Sequence, residues 1–189
     1  MSSESLPQQS ADSSAAEKLF AEQMAAEREY VARVYARLDE LREETAEKLA
    51  AVRKNQAVGG HQNRSERDSF ATHYEDRFAQ LNAVDSRLTF GRLDMDREGA
   101  DAVRYIGRIG ITDSNQQRLL MDWRAPEAGT FYQATAFHSM GVRRRRHLML
   151  EGRTVVNIED EVFDSEMLQD ENTLHGEGAL LAALNKKRT

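Results

Sequence analysis

The sequence predicts an α+β protein in which a long antiparallel two-helix coiled coil is followed by a small, mostly antiparallel β domain. Residues 15–52 contain no Gly or Pro and consist mostly of strong helix formers. A Gly-Gly pair at 59–60 can reverse the chain, and after Leu88 short apolar stretches alternate with turn residues. The predicted units are a disordered lead-in (1–14), the coiled-coil hairpin (15–88), a β-rich domain (89–162) and an acidic linker with the start of a helix (163–189).

Apolar side chains in the first predicted helix recur at the a and d positions of a heptad repeat. Seven of the ten such positions between residues 20 and 52 are apolar, and Glu27, Thr45 and Lys48 interrupt the stripe. A single stripe with charged flanks is typical of a helix that packs along one partner. The apolar members are Phe20, Met24, Val31, Val34, Leu38, Leu41 and Val52.

A second amphipathic run follows the reversal, with a candidate amino-terminal cap at residues 65–68 and one interruption at Arg77. Its apolar stripe predicts an antiparallel hairpin with a tip near Gly60, although the same stripes could drive self-association. Residues 15–88 hold fourteen acids and twelve bases, and this near-neutral balance argues against nucleic acid as the partner of the hairpin. The apolar members are Phe70, Tyr74, Leu81, Val84 and Leu88.

Six short apolar segments in the second half predict strands, because each is bounded by Gly, Asp, Asn or Pro. Gly107 and Gly110 lie inside one of them and are expected to mark bulges or close approaches of the backbone. The predicted strands are 88–93, 103–111, 119–123, 131–137, 142–150 and 154–158.

One basic run in the second half could contact the phosphates of DNA. A structural role is the alternative. If residues 151 and 152 form a two-residue turn, Arg144 faces Glu159 and Arg143 faces Asp160. Such cross-strand pairs would use much of the positive charge. The run consists of Arg143, Arg144, Arg145 and Arg146.

The most unusual local string is Asp-Trp-Arg-Ala-Pro at 122–126, which holds the only Trp of the chain. We expect Trp123 to be a core ring supported by an ion pair between Asp122 and Arg124. A binding role for the ring is the alternative.

Several kinds of active site are excluded by composition. The absence of Cys excludes disulfides, thiolate nucleophiles and sulfur-based zinc sites. No Gly is followed by Lys, so the phosphate-binding loop G-x-x-x-x-G-K-[ST] is missing, and the five His residues form no i, i+4 pair. We predict no catalytic residue, metal site or cofactor on this chain. The first fourteen residues resemble neither a signal peptide nor a membrane span, so a cytoplasmic protein without membrane contact is expected.

From residue 27 onward the chain resembles the amino-terminal region of the HelD family, helicase-like proteins that bind bacterial RNA polymerase, and the actinobacterial type is most similar. The order and spacing of several strings make the resemblance specific. They are EYV at 29–31, YARL at 35–38, FGRLD at 90–94, YIGRIGI at 105–111, LMDWRAP at 120–126, FYQAT at 131–135 and RRRR at 143–146.

The resemblance implies that the coiled coil enters the secondary channel of the RNA polymerase core enzyme and that the β-rich part leads into a RecA-like lobe of a superfamily-one motor. In that family the Walker A loop follows the helix that begins here near Ala179, so we expect this chain to be an amino-terminal fragment. ATP or GTP with Mg²⁺ is expected only for a full-length parent, and whether the parent is an enzyme is left open by these residues.

The predicted contact surface on polymerase is the coiled coil and its tip. No acid lies between Glu47 and Glu66, so we do not expect the tip to hold a catalytic Mg²⁺ as transcript-cleavage factors do. The isolated chain is expected to be monomeric. A DNA-binding accessory domain acting through the arginine run and a self-associating coiled-coil protein are the alternatives. The candidate tip residues are Arg53, Lys54, Gly59, Gly60 and Arg64.

Overall fold

The structure, a computed structural model, describes residues 8–58 and 64–163. These residues form an α+β arrangement in which a long helix lies against a mixed six-stranded sheet. The helices are α1 (Gln8–Val58), α2 (Arg64–Ala83) and α3 (Thr130–Gln133). The strands are β1 (Thr89–Met95), β2 (Val103–Gly107), β3 (Ile111–Thr112), β4 (Arg118–Asp122), β5 (Val142–Glu151) and β6 (Thr154–Val162).

The strands lie in the order β3-β4-β2-β1-β5-β6. Among the described strands four of the five pairings are antiparallel, and only β2 and β4 run parallel. The chain leaves β2, forms β3 at one edge, and returns as β4 between β3 and β2. The predicted α+β class with a mostly antiparallel sheet is therefore confirmed.

Both faces of the sheet are covered, and adjacent residues of one strand point to different cores. Tyr105 belongs to a core shared with α1 and α2, whereas Ile106 belongs to a core under the helical segment 126–134. The same alternation separates Leu120 from Met121, as the two-residue period of a strand requires. The helix pair thus rests on one face, and the second face is closed by the chain itself.

The strand predicted at 131–137 is wrong, because this segment begins as a short helix. Pro126 starts a 3₁₀ turn at 126–129 that leads directly into α3. Ala128, Phe131 and Ala134 are buried, so the apolar spacing is three residues, which fits a helical turn and not a strand.

The strand predicted at 103–111 is two strands, β2 and β3, joined at residues 108–110. The close approach predicted at Gly107 is confirmed, because a Cβ atom there would lie 2.3 Å from the Leu88 carbonyl oxygen. The close approach of the backbone expected at Gly110 is absent. A Cβ atom at Gly110 would have its nearest neighbour at 3.8 Å, an ordinary van der Waals contact.

The predicted register of β5 and β6 is also wrong. Glu151 pairs with Thr154, so the turn consists of Gly152 and Arg153, with Gly152 at φ +58° in its first position. A bulge after Met149 adds a further shift. Consequently Arg144 faces Val162, not Glu159, while Arg145 faces Glu161 and Arg146 faces Asp160.

Candidate interaction site on the paired helices

The candidate site is the pair formed by α1 and α2, which run side by side in opposite directions. Arg53, near the end of α1, pairs with Glu75 at 2.7 Å. Eleven residues earlier, Arg42 donates to the Leu81 carbonyl oxygen and pairs with Asp85, both at 2.8 Å. Later residues of α2 therefore contact earlier residues of α1, so the two helices are antiparallel. The finer prediction of a coiled coil over 15–88 stays a prediction.

The first half of the α1 stripe packs on the sheet. Val31, Val34 and Leu38 are fully buried, and they share one core with sheet residues such as Leu120 and Val155. Backbone oxygens of the sheet also accept hydrogen bonds from α1: Arg28 Nε donates to Val155 O at 2.9 Å, and the Tyr30 hydroxyl donates to Leu119 O at 2.7 Å.

Burial changes sharply along α1. Seven of the 22 residues from 24 to 45 are buried, but none of the nine residues from 46 to 54 is. We call residues 24–45 the root of α1. Residues 46–54 of α1 are called the outer segment. In the part of α1 whose burial is described, residues 14–54, every buried position of the stripe lies in the root.

Two arginines and two aspartates join the root, the loop after α2 and the β5–β6 turn. Arg153 Nη1 contacts Asp39 Oδ2 and Arg153 Nη2 contacts Asp85 Oδ1, both at 2.6 Å. Arg42 reaches the same carboxylates at 3.1 and 2.8 Å. Hydrogen bonds from Arg153 are the main reason that the pKa values of both aspartates are lowered. We call these four residues the base cluster.

Tyr35 completes this junction from inside the core. Its hydroxyl accepts a hydrogen bond from the Leu88 amide at 3.3 Å, and the Arg153 guanidinium lies 5.0 Å from the centre of its ring. Burial is the main cause of its raised pKa. The tyrosine therefore stays protonated and ties the start of β1 to α1.

Glu27, which interrupts the apolar stripe, is fully buried and lies at the centre of a polar network. Its carboxylate accepts hydrogen bonds from Arg92 Nη1 at 2.7 Å, Arg146 Nη1 at 2.8 Å and the Tyr105 hydroxyl at 2.9 Å. Arg146 also contacts Asp160 through two bonds of 2.6 Å. A buried carboxylate is tolerated when it is paired in this way. We call these five residues the buried anchor.

The electrostatics of the buried anchor fit its contacts. Burial is the main cause of the raised pKa of Tyr105, so its hydroxyl remains a donor to Glu27. Burial alone would lower the pKa of Arg146, but the carboxylates of Asp160 and Glu27 outweigh it and raise that pKa. The anchor joins α1 to β1, β2, β5 and β6. Sequence reasoning treated Glu27 as a defect of the stripe, and no local signal identified its partners.

The arginine run is largely engaged within the protein. Arg144 pairs with Asp94 at 2.5 Å, Arg145 pairs with Glu161 at 2.5 Å, and Arg146 belongs to the buried anchor. Arg143 is half-buried. Cross-strand pairing, one of the two interpretations of this run, is therefore present, although the partners differ from those predicted. Contact with DNA stays a prediction.

The predicted tip residues are only partly within the described chain. Arg53 and Lys54 are exposed near the end of α1, and Arg64 is the first residue of α2. Gly59 and Gly60 lie outside the described residues. Their role in binding a partner stays a prediction.

Trp123 is not the core ring that the sequence suggested, because 47% of it is exposed. The predicted ion pair is present: Arg124 Nη2 lies 2.6 Å from Asp122 Oδ2, and hydrogen bonding to Arg124 lowers the pKa of Asp122. β4 ends at Asp122, one residue before the indole. Trp123 therefore lies beyond the end of β4, where the alternation of buried and exposed residues no longer applies.

Two further kinds of site were sought in the described part of the chain. Within residues 8–58 and 64–163, no cluster of three or more His, Asp or Glu side chains could hold a metal ion. In the same residues, no helix combines the length and the apolar content needed to cross a membrane.

Comparison with known proteins gives one family match for this chain. The family model described as DNA helicase IV HelD, N-terminal domain, matches residues 24–174, which is 151 of the 189 residues. The match begins in the root of α1 and includes the whole sheet. No curated protein matches the chain.

Proposed function

The chain belongs to the HelD family through the N-terminal domain of that family, and from this premise we propose that it is the RNA polymerase-binding module of a helicase-type transcription recycling factor. The paired helices bind the core enzyme of bacterial RNA polymerase and insert their tip into its secondary channel. Such a role places the protein in the cytoplasm.

The observation that carries this proposal is the contrast along α1. Its root is fixed to the sheet by the apolar core, the buried anchor and the base cluster, whereas the outer segment has no buried residue from 46 to 54. An ordered helix pair with little burial of its own gains stability when a partner covers it. The fixed root gives the pair a defined direction, which reduces the entropy lost on binding.

The chemistry at the tip supports binding and not transcript cleavage. Mg²⁺ prefers carboxylate ligands, and the sequence holds no acid between Glu47 and Glu66. The bases Arg53 and Lys54 lie there instead. We therefore propose that the tip acts by occupying space and by contacting acidic groups on polymerase.

We do not assign nucleotide hydrolysis to the residues of this chain. The residues of this chain do not fit a nucleoside triphosphate with Mg²⁺, because the sequence lacks the Gly-Lys pair of a phosphate-binding loop. DNA binding through Arg143–Arg146 has less support, since three of these guanidiniums already contact carboxylates.

The proposal is tested by measuring binding of the 189-residue chain to immobilised core polymerase. We expect Lys54→Glu to weaken binding by about tenfold, because the charge at the contact is reversed. Lys18→Glu is the matched control, since Lys18 is also an exposed lysine of α1 but lies on the other side of the root. This control variant should bind as the unmodified chain does.

Equal binding by both variants would contradict the assignment of the tip as the contact. Absence of any binding by the unmodified chain would contradict the proposed function as a whole. Far-ultraviolet circular dichroism of each variant verifies that the helix pair is retained.

A further inference from the structure

The first turns of α1 carry an apolar stripe that is only partly buried. Ala16, Leu19 and Phe20 continue the helical spacing of Met24, which belongs to the core shared with the sheet. Ala16 and Leu19 are half-buried, and 46% of Phe20 is exposed. We call residues 16–20 the leading stripe. Because it adjoins a buried surface, it differs from an isolated apolar residue on a protein surface.

Contacts between α1 and β6 show where the leading stripe lies. Arg28 donates to the Val155 carbonyl oxygen at 2.9 Å. Five residues earlier, Gln23 accepts a hydrogen bond from Arg146, which also donates to Asp160 at 2.6 Å. Earlier residues of α1 therefore lie beside later residues of β6. The leading stripe begins about 5 Å beyond Gln23 along the helix, and β6 ends about 7 Å beyond Asp160, so both lie at the same end of the sheet.

The chain leaves the sheet at this end. β6 finishes at Val162, and because it is an edge strand, the chain can continue to either face of the sheet. Residues 164–189 lie outside the described residues, and their sequence contains the apolar run Ala-Leu-Leu-Ala-Ala-Leu at 179–184. These are strong helix formers, but a helix of six residues is not stable alone in water, so its leucines need a surface on which to pack.

Length and charge both allow this run to reach the leading stripe. Sixteen residue steps separate Phe163 from Ala179, and they span about 50 Å when extended. Such a connection keeps the run at an effective concentration on the order of millimolar, so even a weak contact is populated. Three bases follow the run at 186–188, and the exposed acids Glu17 and Glu22 flank the stripe.

A second copy of this chain is a poorer occupant of the leading stripe. A stable interface between two chains buries about 800 Å² on each partner. The leading stripe covers little more than one helical turn and has one largely exposed ring, at Phe20. A segment of the same chain needs less area, because its connection to β6 already holds it nearby.

We propose that residues 179–184 pack as a short helix on the leading stripe. Leu180 and Leu184 are four residues apart and therefore share one face of such a helix, which contacts Phe20. The contact extends the core of α1 and the sheet at its open end and fixes the first turns of α1. It lies at the opposite end of α1 from the tip and does not depend on binding to polymerase.

The test is hydrogen–deuterium exchange of the 189-residue chain, measured by mass spectrometry. In Leu180→Ser/Leu184→Ser we expect the amides of residues 14–22 to exchange about tenfold faster, because the leading stripe loses its cover. Leu168→Ser/Leu174→Ser is the matched control, since it removes two leucines of the connection, and it should change this exchange by less than about twofold. Equal effects of the two variants, or no effect of the first, would overturn the proposal.

The reciprocal measurement follows the amides of residues 179–184. Phe20→Ser should accelerate their exchange by about tenfold, whereas Phe70→Ser, which changes an exposed phenylalanine of α2, should leave it unchanged. Both rings are largely exposed, so both variants are expected to fold. Exchange of residues 179–184 as in an unstructured peptide would overturn the proposal, and so would protection that Phe20→Ser does not alter.

Dilution of the unmodified chain separates the two occupants. Packing within one chain predicts that protection of residues 14–22 is the same at all protein concentrations, because the contact is intramolecular. Protection that is lost on dilution would assign the leading stripe to a second copy and would overturn the proposal.

Discussion

The root and the outer segment of α1 share one heptad stripe but have different surroundings. In the root, the interruption at Glu27 is fully buried and satisfied by three donors, whereas in the outer segment the interruption at Lys48 stays exposed. An apolar stripe therefore defines which face of a helix is covered but not what covers it. The root is covered by the sheet and by the end of α2, whereas the outer segment pairs with α2.

The largest effect is expected from Glu27→Gln. This change leaves Arg146, whose side chain is 2% exposed, and Arg92 without their shared charged acceptor. Loss of one partner from a buried ion network costs about 3–5 kcal/mol. We therefore expect the free energy of unfolding, measured by urea titration, to fall by about 3–5 kcal/mol.

Glu29→Gln is the matched control, because Glu29 is an exposed carboxylate two residues away. It should change the free energy of unfolding by less than about 0.5 kcal/mol. If the two variants are equally stable, the buried anchor does not fix α1 to the sheet.

The second prediction compares the two halves of the stripe with one substitution. Leu38→Ala removes a fully buried side chain of the root and should lower the free energy of unfolding by about 2–5 kcal/mol. Leu49→Ala acts on a half-buried side chain of the outer segment and should cost about 1 kcal/mol. Urea unfolding of both variants measures the difference. A cost at Leu49 as large as that at Leu38 would show that the outer segment is sealed as tightly as the root.

The smallest effect is expected from Arg153→Gln in the base cluster. Its guanidinium is 40% exposed and its two partners are nearly half exposed, so solvent screens the pairs and we expect a loss of about 1 kcal/mol in the free energy of unfolding. Added salt should reduce this loss, because exposed pairs are screened. A loss that is independent of salt would indicate packing on Tyr35 instead.

The same variant gives a prediction for pH. Arg153 and Arg42 lower the folded-state pKa values of Asp39 and Asp85 below the ordinary 3.8. The resulting stabilisation is complete above the unfolded pKa and is lost as the pH falls through the lowered folded values. The difference in stability between the unmodified chain and Arg153→Gln should therefore be constant at neutral pH and shrink below about pH 4. Thermal unfolding across this range measures it.

Part of this fold was predictable because the responsible interactions are local. The run without Gly or Pro, the reversal near Gly60 and the turn-bounded segments predicted the α+β class and five of the strand regions. Helix propensity and apolar periodicity depend on neighbours within a few residues, so they can be read from a single chain. The ion pair between Asp122 and Arg124 was predictable for the same reason.

The misjudged features depend on distant partners. Phe131 was assigned to a strand, but its burial with Ala128 and Ala134 under the sheet selects a helical turn. The arginine run was expected to pair across the hairpin, yet the position of Gly152 in the turn and a bulge after Met149 selected other partners. A shift of one residue in a turn changes every pair along two strands.

The sequence by itself determined most of the elements and the apolar face of the two long helices, because these follow from local backbone preferences and the spacing of apolar residues. Only the tertiary structure decided that half of the stripe covers a sheet and that Glu27 is an anchor. Glu27 and its partner Arg146 are 119 positions apart in the sequence. Their meeting is set by packing of the whole chain, which desolvates charges only where partners from distant strands can satisfy them.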